Sequence, residues 1–182
     1  MDVRSEGGTE GRVIVFTGPG KGKTRAALGA VIRFIASGRR AIFIYCTGPQ
    51  HPLLGEVKTA AAIGDNWRMI GIKSEAKDIS YLAEFTESVD TVREALAMAH
   101  DLWLHECDLL VLDDIFPHLD RGSIDIAQVL SLIDNRPPNT SIILTGQSAP
   151  EPIVYRADSV SDFLKIKQPP NDGMHLRRGI DF

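Results

Sequence analysis

The feature that most constrains this chain is a glycine-rich turn between an apolar run and a helical pattern. Residues 12–34 read RVIVF-TGPGKGKT-RAALGAVIRF. A short apolar run of this kind is typical of a buried strand. The backbone amides of a glycine-rich turn, together with the N-terminus of the helix that follows, bind phosphate oxygens. The order strand, turn, helix therefore predicts a βα unit with an anion site at its turn.

The residue types in this turn fit a polyphosphate ligand. Lys23 is expected to place its ammonium group on the phosphates, and Thr24 is expected to offer its hydroxyl to Mg²⁺. Lys21 is a second cation aimed at the same place, which indicates a highly charged ligand such as a triphosphate. Glycines allow close approach of the ligand without a Cβ clash, and the turn contains Gly18, Gly20 and Gly22.

The turn departs from the usual phosphate-binding pattern at one position. That pattern is Gly, four variable residues, Gly-Lys and then Ser or Thr, and Thr17 stands where the first Gly is expected. The alternative is a chance glycine- and lysine-rich turn on a βα connection. Because a strand pattern precedes it and a helical pattern follows it, we prefer the anion site, with Pro19 and Arg25 as further candidate nucleotide-binding residues.

Further short apolar runs indicate more strands. They are apolar on both faces, which suits a buried parallel sheet better than a half-exposed antiparallel one. The predicted strands are Val13–Phe16, Ala41–Tyr45, Arg68–Ile72, Leu109–Leu112 and Ser141–Thr145.

Longer helical patterns lie between these strands. The first predicted helix covers residues 23–37 and ends at Gly38 as a C-terminal cap, and the longest covers 86–106. A third covers 123–135, with Ser123 placed to cap its N-terminus. Strands alternating with helices predict an α/β fold, in which a parallel sheet carries helices on both faces. We expect a single domain over residues 12–182, preceded by a flexible tail at 1–11.

The composition excludes several classes of partner. The formal net charge is −4, so no global charge favours nucleic acid or an anionic membrane. No apolar run is long enough to span a bilayer. With only Cys46 and Cys107, a disulfide framework is not expected, and a reducing cytoplasm fits best. Both cysteines are expected to be small buried residues.

A second acidic element follows the phosphate-binding turn by about ninety residues. Residues 108–114 read DLLVLDD, an apolar strand that ends in Asp113 and Asp114. A carboxylate at such a strand end can hold Mg²⁺, directly or through water, opposite the Thr of the turn. A divalent cation would also relieve the repulsion between adjacent carboxylates. The alternative is a solvated turn.

Four segments in this order resemble the ATP:corrinoid adenosyltransferase family of the phosphate-loop type. The turn TGPGKGKT has that family's Thr in place of the first Gly, and its second Lys. The helix RAALGAVIRFIASGRR has Arg33 and Gly38 where the family has an Arg and a Gly. The other two segments are DLLVLDDI with the later IDNRPPNTSIILTG, and ADSVSDFLKIK with the ending GIDF. Together they cover most of the chain except about 47–88.

The resemblance implies a P-loop NTPase-like fold and a reaction at the 5′ carbon of ATP rather than at the γ-phosphorus. A reduced cobalt(I) corrinoid is the nucleophile, and triphosphate leaves whole. Gly18–Thr24 would hold the triphosphate, and Lys21 and Lys23 with Mg²⁺ would stabilise the leaving group. Thr24 and Asp114 would contact the metal, with Asp113 beside them. Arg33 would contact the nucleotide, for which a surface ion pair is the alternative.

Three departures from the family weaken the corrinoid site more than the ATP site. Asp114 stands where the family has Glu, and Gln147 stands where Arg is common. The family's Phe-Thr-Trp type motif, whose aromatics pack near the corrin, is not apparent in KSEAKDISYLAEFTES. The aromatics of that stretch are Tyr81 and Phe85, for which simple packing is the alternative.

The sequence leaves two other functions open. One is an NTPase or phosphotransferase acting on the γ-phosphate, with Arg25 or Arg121 as candidate arginine fingers. The other is a non-catalytic ATP-binding relative. The loop 46–56 fits either a substrate loop or a plain surface loop, and His118 could approach a ligand. The resemblance also implies a homodimer, with an electron-donor flavoprotein as a possible partner.

Overall fold

The computed structural model describes residues 10–46, 66–72 and 87–167. The predictions for the N-terminal tail before residue 10, the loop 47–56, Tyr81, Phe85 and the ending 168–182 lie outside them. The strands are β1 (Val13–Thr17), β2 (Ala41–Tyr45), β3 (Trp67–Ile72), β4 (Glu87–Val89), β5 (Leu109–Asp113), β6 (Ser141–Thr145) and β7 (Ser159–Asp162). The helices are α1 (Lys23–Ala36), α2 (Val92–Glu106), α3 (Phe116–Asp120), α4 (Ile126–Asp134) and α5 (Glu151–Arg156).

The described strands form one sheet in the order β4-β3-β2-β5-β6-β1-β7. Every pairing in it is parallel, which confirms the predicted parallel sheet. β1 lies between β6 and β7, and β5 lies between β2 and β6. Because the strands are parallel, the turn after β1 and the acidic end of β5 lie at the same edge of the sheet, with the end of β6 between them.

The sheet has an apolar cluster on each face, which confirms helices on both sides. On one face α1 buries Ala27, Leu28, Val31 and Ile35 against strand residues such as Phe43 and Met69. On the other face α2 and α4 pack against the alternate strand residues. Their buried side chains there are Val92, Ala95, Leu96, Ala99, Val129, Leu132 and Ile133.

The helix ends differ in part from the predictions. Gly38 has φ 79° just beyond α1, the left-handed conformation expected of a C-terminal cap. The helix predicted from residue 86 begins only at Val92, because Thr91 and Glu94 form a capping box there. The prediction that Ser123 caps α4 was wrong. The N-cap residue of α4 is Asp125, whose amide donates to the Gln128 side chain at 2.9 Å.

Four short elements were not predicted: β4, α3, α5 and β7. Among the described residues, no helix is both long and apolar enough to cross a membrane.

Candidate nucleotide-binding site

The glycine-rich turn joins the end of β1 to the start of α1, and its two halves differ in their bonding. In the first half, the Gly18 amide donates to the Gln147 carbonyl at 3.0 Å and the Gly20 amide donates to the Phe163 carbonyl at 2.6 Å. Pro19 has no amide hydrogen. The first half is therefore held by neighbouring protein backbone.

The second half of the turn has the features of an anion site. Gly22 is the N-cap of α1 with φ 115°, and no side chain of the described structure caps this helix end. The first amides of a helix have no partner within the helix and carry the positive end of its dipole. We expected all the amides of Gly18–Thr24 to serve the phosphates. Gly18 and Gly20 already donate to protein carbonyls, so the remaining candidate amides are those of Lys21–Thr24.

Lys23 places its positive charge within the turn. Its Nζ lies 2.7 Å from the carbonyl oxygen of Gly18 and 2.7 Å from that of Gly20, so the ammonium donates to both. The side chains of Lys21 and Arg25 are exposed at the rim of the turn. Arg33 is exposed in the last turn of α1. Ten residues of helix put it about 15 Å from Lys23, so the structure does not bring Arg33 to the turn.

The two carboxylates after β5 occupy different positions. The Thr24 hydroxyl donates to Asp113 Oδ2 at 2.9 Å, and the Thr145 hydroxyl donates to Asp113 Oδ1 at 2.7 Å. Asp114 turns away from the strand with φ 56°, and its amide donates to Thr145 Oγ1 at 2.9 Å. Asp113 therefore lies against Thr24, whereas the family resemblance implies Thr24 and Asp114 as the metal contacts, with Asp113 beside them.

Burial makes the Asp113 carboxylate costly to ionise. Removal from water, followed by the charge of Asp114, raises the pKa of Asp113 from 3.8 to about 7. The hydrogen bonds from Thr145 and Thr24 and the charge of Lys23 act in the opposite direction. A cation at this position would favour the ionised form.

The donor set fits Mg²⁺ bound together with phosphates. Hydroxyl and carboxylate oxygens are the ligands that Mg²⁺ takes, and it is usually held by one or two carboxylates plus substrate phosphates and water. The described residues contain no group of three or more His, Cys, Asp or Glu side chains that could hold a metal alone. An oxygen pair such as Thr24 and Asp113, facing a phosphate site, matches this chemistry.

Three contributors to the site were missed: Thr145, Phe163 and the backbone of Gln147. The Thr-Gly pair at 145–146 was noted only as part of the resemblance, although a hydroxyl at a strand end beside an acidic strand end was an available signal. Gln147 was noted as a departure from the family's Arg. Its contact with Gly18 uses the main-chain carbonyl, so this contact does not depend on the side chain.

Two other polar residues, His118 and Arg136, contact backbone carbonyls near the ends of secondary-structure elements. His118 is fully buried and its Nε2 lies 2.6 Å from the Cys46 carbonyl, so it links α3 to the end of β2. Arg136, in the IDNRPPN segment, donates to the Ile133 carbonyl at 2.9 Å near the end of α4. Both side chains therefore make structural contacts with neighbouring backbone.

Comparison with known proteins identifies the family. The model for "ATP:corrinoid adenosyltransferase BtuR/CobO/CobP" matches residues 9–182. The chain belongs to this family. A corrinoid adenosyltransferase of Sinorhizobium sp is 31% identical over 184 residues, covering 95% of this chain and 81% of the relative. Corrinoid adenosyltransferase CobA of Salmonella typhimurium is 27% identical over 175 residues, covering 94% and 86%.

The fold also resembles a solved structure outside this family. The crystal structure of the RadB recombinase matches with a TM-score of 0.55 and 19% sequence identity, covering 88% of this chain and 77% of RadB. At this identity the likeness concerns the fold alone, and it agrees with the predicted α/β fold.

Proposed function

We propose that this chain is a transferase that moves the 5′-deoxyadenosyl group of ATP to the cobalt(I) of a reduced corrinoid and releases triphosphate. The observation that carries the proposal is the Thr24–Asp113 pair beside an uncapped, lysine-bearing helix N-terminus, in a chain whose residues 9–182 match the family. Cytoplasmic location and a homodimer are further proposals, as is an electron-donor flavoprotein partner. They rest on the family resemblance and on the reduced cobalt that the reaction requires.

The ATP end of the reaction is assigned to the second half of the turn. The amides of Lys21–Thr24 and the ammonium of Lys23 bind the triphosphate, and the exposed Lys21 and Arg25 add positive charge at the rim. The electron pair of cobalt(I) forms the cobalt–carbon bond while the bond between C5′ and its oxygen breaks. Triphosphate leaves with the electron pair of the broken C5′–oxygen bond, so fixed positive groups around the triphosphate lower the barrier.

Mg²⁺ is assigned to Thr24 and Asp113, with Asp114 beside them. When bound, it would supply positive charge against the phosphate oxygens of the leaving group. We place Asp113 closer to the metal than Asp114, because Asp113 Oδ2 already lies 2.9 Å from the Thr24 hydroxyl. Thr145 holds the other oxygen of the same carboxylate.

The reaction needs no general base, since cobalt(I) is already a strong nucleophile. The contribution left to the protein is positioning of the two substrates together with stabilisation of the leaving group. The segment 73–86, which contains Tyr81 and Phe85, lies outside the described residues, so the corrinoid contacts are not assigned to particular side chains.

One assay separates this function from its alternatives. The protein is incubated without oxygen with ATP, Mg²⁺ and chemically reduced cobalamin, and the products are separated. Triphosphate together with a cobalt–carbon bond supports adenosyl transfer. ADP in its place would indicate phosphotransfer, and bound ATP without product would indicate a non-catalytic relative. Lys23→Ala is expected to abolish turnover, while Gly29→Ala, on an exposed position of α1 with open space around it, is the matched control.

A further inference from the structure

The segment that leaves β7 runs directly against the phosphate-binding turn. β7 pairs with β1 in parallel, with Asp162 opposite Thr17. One residue later, the Phe163 amide donates to the Thr17 carbonyl at 2.8 Å, and the Phe163 carbonyl accepts from the Gly20 amide at 2.6 Å. The backbone of this one residue therefore bonds both ends of the four-residue stretch Thr17–Gly20.

The glycines of that stretch are required by this contact. A Cβ on Gly18 would lie 2.0 Å from Asp162 Oδ1 and 2.6 Å from the Phe163 carbonyl oxygen. A Cβ on Gly20 would lie 2.5 Å from the same carbonyl oxygen and 2.6 Å from that of Leu164. Gly18 also has φ 100°, which only glycine adopts readily. Any other side chain at either position would push the segment and the turn apart.

The Phe163 ring extends the contact to the anion-binding half of the turn. The ring lies edge-on to Phe16, with centroids 5.7 Å apart and planes at 71°. Two of its carbons, Cε1 and Cδ1, lie 3.5 and 3.6 Å from the position that a Cβ on Gly22 would take. Gly22 is the N-cap of α1, so the ring lies close to the residue at which the uncapped helix end begins.

We propose that Phe163 is a positioning residue for the phosphate-binding turn. Its backbone fixes Thr17–Gly20 and its ring supports Gly22, so that the amides of Lys21–Thr24 are preorganised for a triphosphate group. The inference rests on the proposed function, since it concerns the same site. A fixed turn pays less ordering entropy when the ligand binds, and it holds the leaving group where its charge develops.

The test compares Phe163→Ala with wild type in the full chain. Direct calorimetric titration with inorganic triphosphate and Mg²⁺ is expected to show binding weakened about tenfold, because the loop must be ordered at each binding event. In the adenosyl-transfer assay the KM for ATP is expected to rise, while the KM for reduced cobalamin stays at the wild-type value. Phe163→Leu, which keeps an apolar side chain against Gly22, is expected to recover most of the triphosphate affinity.

The controls separate positioning from loss of fold. Tyr155→Ala removes an aromatic ring that is 87% exposed on α5, and wild-type binding is expected. Gly20→Ala is expected to weaken triphosphate binding like Phe163→Ala, whereas Gly29→Ala is expected to leave it unchanged. Wild-type triphosphate affinity in Phe163→Ala, or an equal rise in KM for both substrates, would overturn the inference. Because triphosphate binding is measured without cobalamin, failure of adenosyl transfer in wild type would count against the proposed function alone.

Discussion

The Thr145 hydroxyl donates to Asp113 Oδ1 at 2.7 Å and accepts the Asp114 amide at 2.9 Å. One buried side chain at the end of β6 thus sets the orientation of one acidic residue and the backbone of the next. Asp114 adopts φ 56°, which is uncommon outside glycine, and the bond to Thr145 helps to hold it there. The geometry of the proposed metal site therefore depends on a neutral residue, Thr145, that is not itself a proposed metal ligand.

Replacing Thr145 is expected to impair the use of Mg²⁺. Thr145→Val keeps the shape but removes both hydrogen bonds, leaving Asp113 Oδ1 buried without its partner, at a cost of about 1–3 kcal/mol in unfolding free energy. The Mg²⁺ concentration for half-maximal activity is expected to rise in a titration at saturating ATP. Thr145→Ser restores the hydroxyl and should recover the wild-type Mg²⁺ dependence. An unchanged Mg²⁺ titration in Thr145→Val would show that the hydroxyl does not orient Asp113.

Asp113 is expected to destabilise the metal-free protein at high pH. Its pKa is about 7 in the folded protein against the ordinary 3.8, so the folded state binds the proton more tightly than the unfolded state. The protonated carboxyl is the form that the folded state favours. The unfolding free energy is therefore highest below about pH 4 and falls as the pH rises through about 7. With chelator present, Asp113→Asn should therefore raise the unfolding free energy at pH 8 by about 2–4 kcal/mol, at about 1.4 kcal/mol per pKa unit.

Urea unfolding at pH 5 and pH 8 measures this effect. The gain in Asp113→Asn is expected to be smaller at pH 5, where the native carboxyl is protonated. Asp120→Asn, which changes an exposed carboxylate on α3, serves as the matched control. It is expected to leave the unfolding free energy unchanged at pH 5 and at pH 8. A loss of stability in Asp113→Asn at pH 8 would mean that the ionised carboxylate is well accommodated without a cation.

The two cysteines are expected to be inert in the native protein. Burial raises the pKa of Cys46 well above its usual range, with Asp113 and Asp114 adding to the effect, and burial raises the pKa of Cys107 to about 12. Alkylation requires the thiolate, so iodoacetamide at pH 8 should modify neither residue until urea unfolds the chain. Mass spectrometry of the intact protein counts the added groups. One modified thiol in the native protein would show that a cysteine environment opens to solvent.

The five long strands and the glycine-rich turn were predictable because each depends on the order of residues that are neighbours in the sequence. Five apolar runs became buried strands within about one residue at each end, since both faces of this parallel sheet are covered. The glycine and lysine spacing of the turn likewise marked the helix start at Lys23. In both cases the residues that carry the signal are neighbours in the sequence.

The remaining features depend on contacts distant in the sequence. β7 reads SVSD and is exposed throughout, so no apolar run marked it, and its position is fixed by pairing with β1 across more than 140 residues. The contact of Phe163 with the turn follows from that pairing. The choice between Asp113 and Asp114 depends on where β5 ends beside Thr24 and Thr145. Adjacent carboxylates look equivalent in a sequence, although the chain turns between them.

Lys23 and Lys21 are expected to differ strongly in their effect on ATP binding. Lys23 Nζ is held by two carbonyls of the turn, at Gly18 and Gly20, whereas the Lys21 side chain is exposed at its rim. Lys23→Ala should remove a fixed charge and two loop contacts, lowering triphosphate affinity by about a hundredfold, while Lys21→Ala should cost about threefold to tenfold, since an exposed charge is screened by water and salt.

Titrations at low and high salt test the same difference. The loss of triphosphate affinity in Lys21→Ala should shrink as the salt concentration is raised, because it arises from a surface charge that salt screens. The loss of affinity in Lys23→Ala should persist. Circular dichroism and thermal unfolding confirm that each variant is folded. Equal losses of affinity in the two variants at both salt concentrations would mean that the fixed position of Lys23 contributes nothing beyond its charge, and that the turn binds the triphosphate by its net charge alone.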